Sequence, residues 1–342
     1  MVTPTLLSTG NGTRVLPPPT SLPIEGPSAF ESIPIIDLAE EDRTLLAEKI
    51  RDACLRVGFF YIKNHGIPPA TISTTLTEAQ RFFSLPLAQK SALDIRLSPS
   101  YKGYTALLTE NTDPANSGDL HEGFDLGSET EQGEMRGNVW PPADVLPGFR
   151  EHVLAYYEAV LQLGRRLFPL FALSLSLPGD WFDEKIQHPA AIMRLLHYPP
   201  QPPRPSGEGE GAGEEKQLGI GAHTDYECFT LLYQDSVPAL QVLNAAGQWV
   251  SAPPIPGTFV CNLGDQFARW TNDVYVSTVH RAVNRSGRER YSLPFFFGTD
   301  YDVKLEAMPS CVSEDRPPRY EVVTAGEYVK GRLEETYAHS KS

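Results

Sequence analysis

The chain has 342 residues, 41% hydrophobic and 21% charged, the balance of a globular protein and not of a disordered or fibrous one. With 43 acidic against 29 basic residues the net charge is -14, and basic residues gather only around Arg285 to Arg290, so a nucleic-acid backbone would be repelled. No apolar run approaches the roughly 18 residues of a membrane span, Met1 to Pro19 lacks a secretory pattern, and Cys54, Cys228, Cys261 and Cys311 are scattered without a C-x-x-C pair. The expectation is a cytoplasmic protein with buried free thiols and neither a nucleic-acid nor a membrane partner.

Residues 1–30 are rich in Pro, Gly, Ser and Thr without sustained periodicity, which predicts a flexible or surface-draped N-terminal arm. From Glu40, the apolar positions Leu46, Ile50, Ala53, Cys54 and Val57 recur at helical spacing up to Gly58, and Phe59 to Lys63 then reads as a strand. Ile72, Leu76, Ala79 and Phe83 mark a second helix ending before Pro86, and a longer one runs from about Phe149 to Ser176. After about residue 190 the pattern turns to short β-like runs: Ile192 to Tyr198, Cys228 to Tyr233, Leu240 to Leu243, Thr258 to Leu263, Tyr275 to Val283 and Tyr291 to Phe297. The prediction is a mixed α and β chain, with a mainly helical region over 31–180 packed against a sandwich or jelly roll over 181–342. The Pro-, Gly- and Glu-rich segment 201–217 should be a solvated loop.

His223 and Asp225 stand two apart at the head of an apolar strand-like run, a spacing that sends both side chains to one face. His280 lies near the end of another such run, and a jelly roll can bring the three together. Two imidazoles and one carboxylate leave three cis positions open on a metal, which suits Fe(II) and O2 chemistry, whereas zinc favours a closed tetrahedral site. The hairpin signal Asn284-Arg285-Ser286-Gly287 leads into Arg290-Tyr291-Ser292, so Arg290 and Ser292 share one strand face near His280 and can receive a carboxylate.

His223-Thr224-Asp225, His280 and Arg290-Tyr291-Ser292 resemble the metal triad and R-x-S motif of the Fe(II)/2-oxoglutarate oxygenases related to isopenicillin N synthase. Gly58 to Ile67, Arg81 to Pro86, Asn262-Leu263-Gly264-Asp265 and Arg269 to Asp273 extend the resemblance over most of the chain. Arg194 to Pro199 and Ser277 to Arg281 are similar to the fungal thymine-7-hydroxylase-like branch. The resemblance implies a double-stranded β-helix and one catalytic unit. It also implies Fe(II) held by His223, Asp225 and His280, with 2-oxoglutarate and O2 as co-substrates. Arg290, Ser292 and Tyr198 would hold the distal carboxylate of 2-oxoglutarate, although plant members often carry Asn where this chain has Leu196. The implied reaction is oxidation of an unactivated C–H bond of a small molecule, by default hydroxylation, in fungal specialised metabolism. Desaturation and ring formation share its first half.

Three rivals differ in class. A zinc hydrolase would leave Arg290 and Ser292 unexplained, a non-catalytic binding jelly roll would leave the intact triad unexplained, and a 2-oxoglutarate-independent Fe(II) oxidase would take all its electrons from substrate. Phe296 shares strand parity with Arg290 and Ser292 and is a candidate substrate wall, followed by Tyr226, Arg194 and Tyr104. His65, His121, His152, His188 and His339 have no matching partner in the motifs and are read as structural or surface residues.

Overall fold

The computed structural model describes residues 5–16, 30–112, 118–129, 137–202 and 217–339. The chain opens with a hairpin of β1 (Thr5–Thr9) and β2 (Gly12–Leu16), then β3 (Ile35–Asp37) and α1 (Arg43–Arg56). Asp42 caps α1 by accepting hydrogen bonds from the Thr44 and Leu45 amides, and Leu46, Ile50, Ala53 and Cys54 form its buried face. After β4 (Phe59–Lys63) comes α2 (Pro69–Phe83), with proline in its first turn, where no intrahelical amide partner exists. Next are α3 (Leu87–Ser91), β5 (Gly103–Thr105), β6 (Glu122–Gly127) and the 26-residue α4 (Phe149–Ser174).

The second half supplies β7 (Ala191–Tyr198), β8 (Ile220–His223), β9 (Phe229–Gln234), β10 (Leu240–Leu243), β11 (Trp249–Ser251) and β12 (Thr258–Leu263). It ends with α5 (Asp265–Trp270), β13 (His280–Ala282), β14 (Arg290–Phe297) and α6 (Ala325–His339). An eight-stranded sheet runs β3-β4-β12-β9-β14-β7-β6-β5, and a four-stranded sheet runs β11-β10-β13-β8. Phe59, Tyr61 and Val260 of the large sheet share a core with Leu240 and Val242 of the small one, so the sheets pack face to face as a double-stranded β-helix. Helices cover the outer face of the large sheet: Phe295 and Phe297 of β14 meet Tyr157 and Phe168 of α4 at ring-centroid distances of 5.0 and 5.2 Å.

Four details depart from the sequence reading. Within the N-terminal arm, Thr5–Leu16 is a docked hairpin with Leu7 buried against Leu243 and Val279; residues 1–4 and 17–29 lie outside the described residues. The region 31–180 also contributes β3, β4, β5 and β6 to the main sheet. The run Tyr275 to Val283 pairs as a strand only over His280–Ala282, because the Val276 amide donates to the Cys54 carbonyl and the Thr278 hydroxyl to the Val57 carbonyl, tying the earlier part to the end of α1. Finally, β13 and β14 lie in different sheets, so the Asn284 to Gly287 turn crosses between sheets and is not a hairpin. Of the loop 201–217, residues 203–216 lie outside the described residues. All four cysteines are free and buried. No helix among the described residues is long and apolar enough to cross a membrane.

Candidate active site

Between the two sheets lies a cleft of about 230 Å³. The small sheet brings His223 and His280 side by side, since β8 and β13 pair in a register that sets these two residues opposite each other. Asp225 follows the end of β8 and does not open β9, so its position comes from a turn and not from the strand alternation that the spacing suggested. Its Oδ1 sits 3.6 Å from Nε2 of each histidine, and the three groups place ligand atoms within 4.8 Å of one another.

A backbone carbonyl orients each imidazole. His223 Nδ1 is 2.9 Å from the Gly221 carbonyl and His280 Nδ1 is 3.1 Å from the Thr278 carbonyl. A carbonyl only accepts, so each Nδ1 carries the proton and each Nε2 turns a lone pair toward Asp225. Burial, reinforced by the neighbouring His223, lowers the His280 pKa to about 4, which keeps its ring neutral near pH 7. Asp225 is held below the usual carboxylate range: burial opposes this, but hydrogen bonds from Thr230 and Asn262 favour its charged form. Those hydrogen bonds both fall on Oδ2, from the Thr230 hydroxyl and from Asn262 Nδ2 at 2.7 Å, leaving Oδ1 directed at the histidines. The donor set therefore fits a divalent metal with two imidazole nitrogens and one carboxylate oxygen on one face.

Across the cleft, the large sheet presents two period-two rows. Arg290, Ser292, Pro294 and Phe296 of β14 and Ile192, Arg194, Leu196 and Tyr198 of β7 all line it. Arg290 is 1% exposed. Its Nη2 donates to Gln234 Oε1 at 3.0 Å, its Nη1 to Ser292 Oγ at 3.4 Å, and its Cζ lies 4.6 Å from the Tyr198 ring centre. Its Nε has no hydrogen-bond partner, and no carboxylate among the described residues makes a direct ion pair with the guanidinium, although its charge is felt by the nearby Asp235. A buried cation in that state is suited to an anionic ligand.

Phe296 is half-buried on the cleft wall, while its neighbours Phe295 and Phe297 are fully buried on the opposite face. Tyr226 and Arg194 also line the cleft. Arg194 donates through Nε to Asp125 Oδ1 at 2.7 Å and through Nη2 to Glu110 Oε1 at 2.8 Å, and His121 Nε2 meets Glu110 Oε2 at 3.0 Å. Burial raises the Asp125 pKa to about 6, whereas Glu110 is lowered because Arg194 and His121 outweigh its burial. His121, read from sequence as structural or surface, is thus part of a charged cluster on the cleft. Tyr104 is not on the cleft wall: its hydroxyl donates to Glu122 Oε2 at 2.6 Å inside the core, beside Lys90. It stands on short β5, whose pairing with β6 turns it inward toward Phe82.

Two family models match the chain: the N-terminal region of non-haem dioxygenases in morphine synthesis over residues 33–143, and the 2OG-Fe(II) oxygenase superfamily over residues 189–299. A 2-oxoglutarate-Fe(II) type oxidoreductase of Metarhizium rileyi is 37% identical, with 96% of this chain and 93% of the relative covered. The chain belongs to the 2-oxoglutarate- and Fe(II)-dependent oxygenase superfamily. A rice homoarginine-6-hydroxylase is 33% identical over 88% of this chain and 96% of its own. The thymine-7-hydroxylase of Neurospora crassa, solved with alpha-KG and thymine, superimposes with a TM-score of 0.80 at 31% identity, covering 89% of this chain and 97% of that one. Membership makes the protein a non-haem Fe(II) dioxygenase that uses 2-oxoglutarate and O2 on a small-molecule substrate, and it does not favour the zinc, oxidase or purely binding alternatives.

Sequence reasoning passed over four residues of the site. Thr230, Asn262 and Gln234 orient Asp225 and Arg290, and Gly264 lets the Asn262 to Asp265 segment approach the ligand loop, since a Cβ there would meet the Glu227 carbonyl at 2.2 Å. The signal for two of them is present in Asn262-Leu263-Gly264-Asp265, which the resemblance matches without giving it a role.

Proposed function

We propose that His223, Asp225 and His280 hold the Fe(II), that Arg290, Ser292 and Tyr198 receive the distal carboxylate of 2-oxoglutarate, and that Phe296, Tyr226 and Arg194 face the substrate. The reading treats residues 31–180 and 181–342 as one catalytic unit. The observation that carries it is the opposition of two inward Nε2 lone pairs beside Asp225 Oδ1 to a buried Arg290 without a direct carboxylate partner across one cleft. When bound, Fe(II) with 2-oxoglutarate and O2 supplies the oxidising power for C–H cleavage.

The chain's own residues fix geometry. Carbonyl-tied imidazoles hold the metal face, Asn262 and Thr230 keep Asp225 aimed, and Gln234 holds the planar Arg290 fork in position. The apolar Ile192, Leu196, Leu232 and Pro294 keep water from the reacting carbon. The substrate is read as a small molecule with an apolar face for Phe296 and a hydrogen-bonding edge for the Arg194 cluster, hydroxylated by default, with a role in specialised metabolism that fungal relatives favour. The buried free thiols and acidic charge support an intracellular setting without nucleic-acid or membrane partners.

The test is succinate formation from 2-oxoglutarate with a panel of amino acids, pyrimidines and phenols, for wild type and Asp225→Ala. Wild type should release succinate in an Fe(II)-dependent way, and the variant should be folded and inactive. Full activity in Asp225→Ala would remove it from the metal site.

A further inference from the structure

The N-terminal hairpin, expected to be a flexible or surface-draped arm, touches the segments that bear all three proposed metal ligands. At its tip, the Gly10 amide donates to Asp265 Oδ2 at 2.7 Å and Asn11 Nδ2 donates to the Asp265 carbonyl at 2.9 Å. The same Oδ2 accepts the hydroxyl of Thr224 at 2.8 Å, and Thr224 stands between His223 and Asp225. The Asp265 amide donates back to the Asp225 carbonyl at 2.8 Å. Asp265 is fully buried, so each donor lost leaves its carboxylate under-solvated.

The hairpin also contacts the segment that leads into His280. Arg14 Nη1 donates to the Ser277 carbonyl, and Leu7 packs on Val279, the residue before His280. It also reaches α6, where the Tyr328 hydroxyl donates to Asn11 Oδ1 at 3.4 Å. The next residue, Val329, lines the cleft, and Arg332 lies 4.9 Å from the Tyr226 ring centre. Gly10 is wedged so tightly that a Cβ there would meet the Tyr328 hydroxyl at 1.9 Å and Asp265 Cβ at 3.1 Å.

We propose that the hairpin Thr5–Leu16 is a positioning element of the metal centre: through Asp265 it fixes Thr224, and through Ser277 and Val279 it fixes the approach to His280. The inference rests on the metal-site reading above. Outer partners of metal ligands typically set affinity by about 10- to 100-fold, and here the outermost partner is supplied by a separate, removable strand pair.

The experiment is titration of the metal-free full chain with Co(II), followed by its visible absorption, alongside thermal unfolding. Gly10→Ala should lift the tip and weaken Co(II) binding about threefold or more, Asn11→Ala should do so in the same direction, and Asp265→Ala should weaken it by about tenfold or more. Asp265→Asn keeps an oxygen that can accept from both Gly10 and Thr224 and should restore affinity to within about twofold of wild type, which a merely structural role would not distinguish. A wild-type chain that binds no Co(II) overturns the metal-site reading and this inference with it. Wild-type binding with unchanged affinity in Gly10→Ala, Asn11→Ala and Asp265→Ala overturns this inference alone.

Discussion

Replacing Arg290 with Lys separates charge from geometry at the proposed co-substrate end of the cleft. In the wild type, Nη2 is engaged by Gln234 at 3.0 Å and Nη1 weakly by Ser292 at 3.4 Å, while Nε is without a partner, so the fork can offer a carboxylate two parallel N–H groups. An ammonium keeps the charge but lacks the planar pair. Loss of one hydrogen bond between charged groups costs about 1.5 to 3 kcal/mol, which converts to about 10- to 150-fold in affinity. A second effect follows from the same contact: Gln234 Oε1, buried, loses its donor, and stability should fall by about 1 to 3 kcal/mol. The assay is calorimetric titration of 2-oxoglutarate into the anaerobic Fe(II)-loaded protein, with Fe(II) affinity measured beside it. Weaker 2-oxoglutarate binding with unchanged Fe(II) binding is expected. An unchanged 2-oxoglutarate affinity would take Arg290 out of the co-substrate site and refute the reasoning from its unpaired nitrogen.

Phe296→Ala should raise the substrate KM or lower kcat in succinate-coupled assays while 2-oxoglutarate affinity stays near wild type, and its stability loss should fall below the about 3 to 5 kcal/mol of a core phenylalanine. Tyr104→Phe should do the reverse: it removes a donor from the buried Glu122 carboxylate, so unfolding should show a loss of about 1.5 to 3 kcal/mol with steady-state kinetics unchanged. The His121 pKa is raised above its ordinary 6.5, since burial, which would lower it, is outweighed by the hydrogen bond and charge of Glu110. The stability from that pair is therefore complete below 6.5 and lost as pH rises through the higher folded value, so the melting-temperature gap between wild type and His121→Gln should close with increasing pH above 6.5; a constant gap would show an uncharged contact.

What the sequence made legible depended on whether a strand's own alternation decided a residue's direction. On β14 the register against β9 is continuous from Ser292 to Phe297, so counting by two from Arg290 correctly carried Ser292 and Phe296 to one wall even across Pro294, which has no amide to pair. The same count on β7 sets Arg194 and Tyr198 on that wall. Counting failed where the chain leaves a strand. Asp225 reaches the histidines only because the start of α5 is laced to its turn by backbone hydrogen bonds from Gly264, Asp265 and Gln266, contacts between residues some 40 positions apart that carry no periodic signature. The directions of Tyr104 and His121 escape such counting for a related reason. Tyr104 sits on a three-residue strand whose face is set by its partner β6, and His121 precedes β6 in a loop whose direction is decided by Glu110 and the Gly219 carbonyl.

The hairpin is the most instructive case, because its composition predicts an arm and its location does not. Within Thr5–Leu16 the apolar Leu6 and Val15 face solvent and of its described residues only Leu7 and Thr9 are buried, so little apolar area drives docking. What holds the tip is polar: the amide of Gly10, a residue without a Cβ, reaches the buried Asp265 carboxylate, and the Asn11 side chain reaches the Asp265 carbonyl, both over 250 residues away in sequence. A buried acceptor is worth satisfying only if leaving it bare is costly, and Asp265 meets that condition because it also carries the Thr224 hydroxyl beside the ligand loop. Local composition therefore reported the weakness of the hairpin as an isolated unit, while the requirement that binds it arises at the opposite end of the chain, in the turn that aims Asp225.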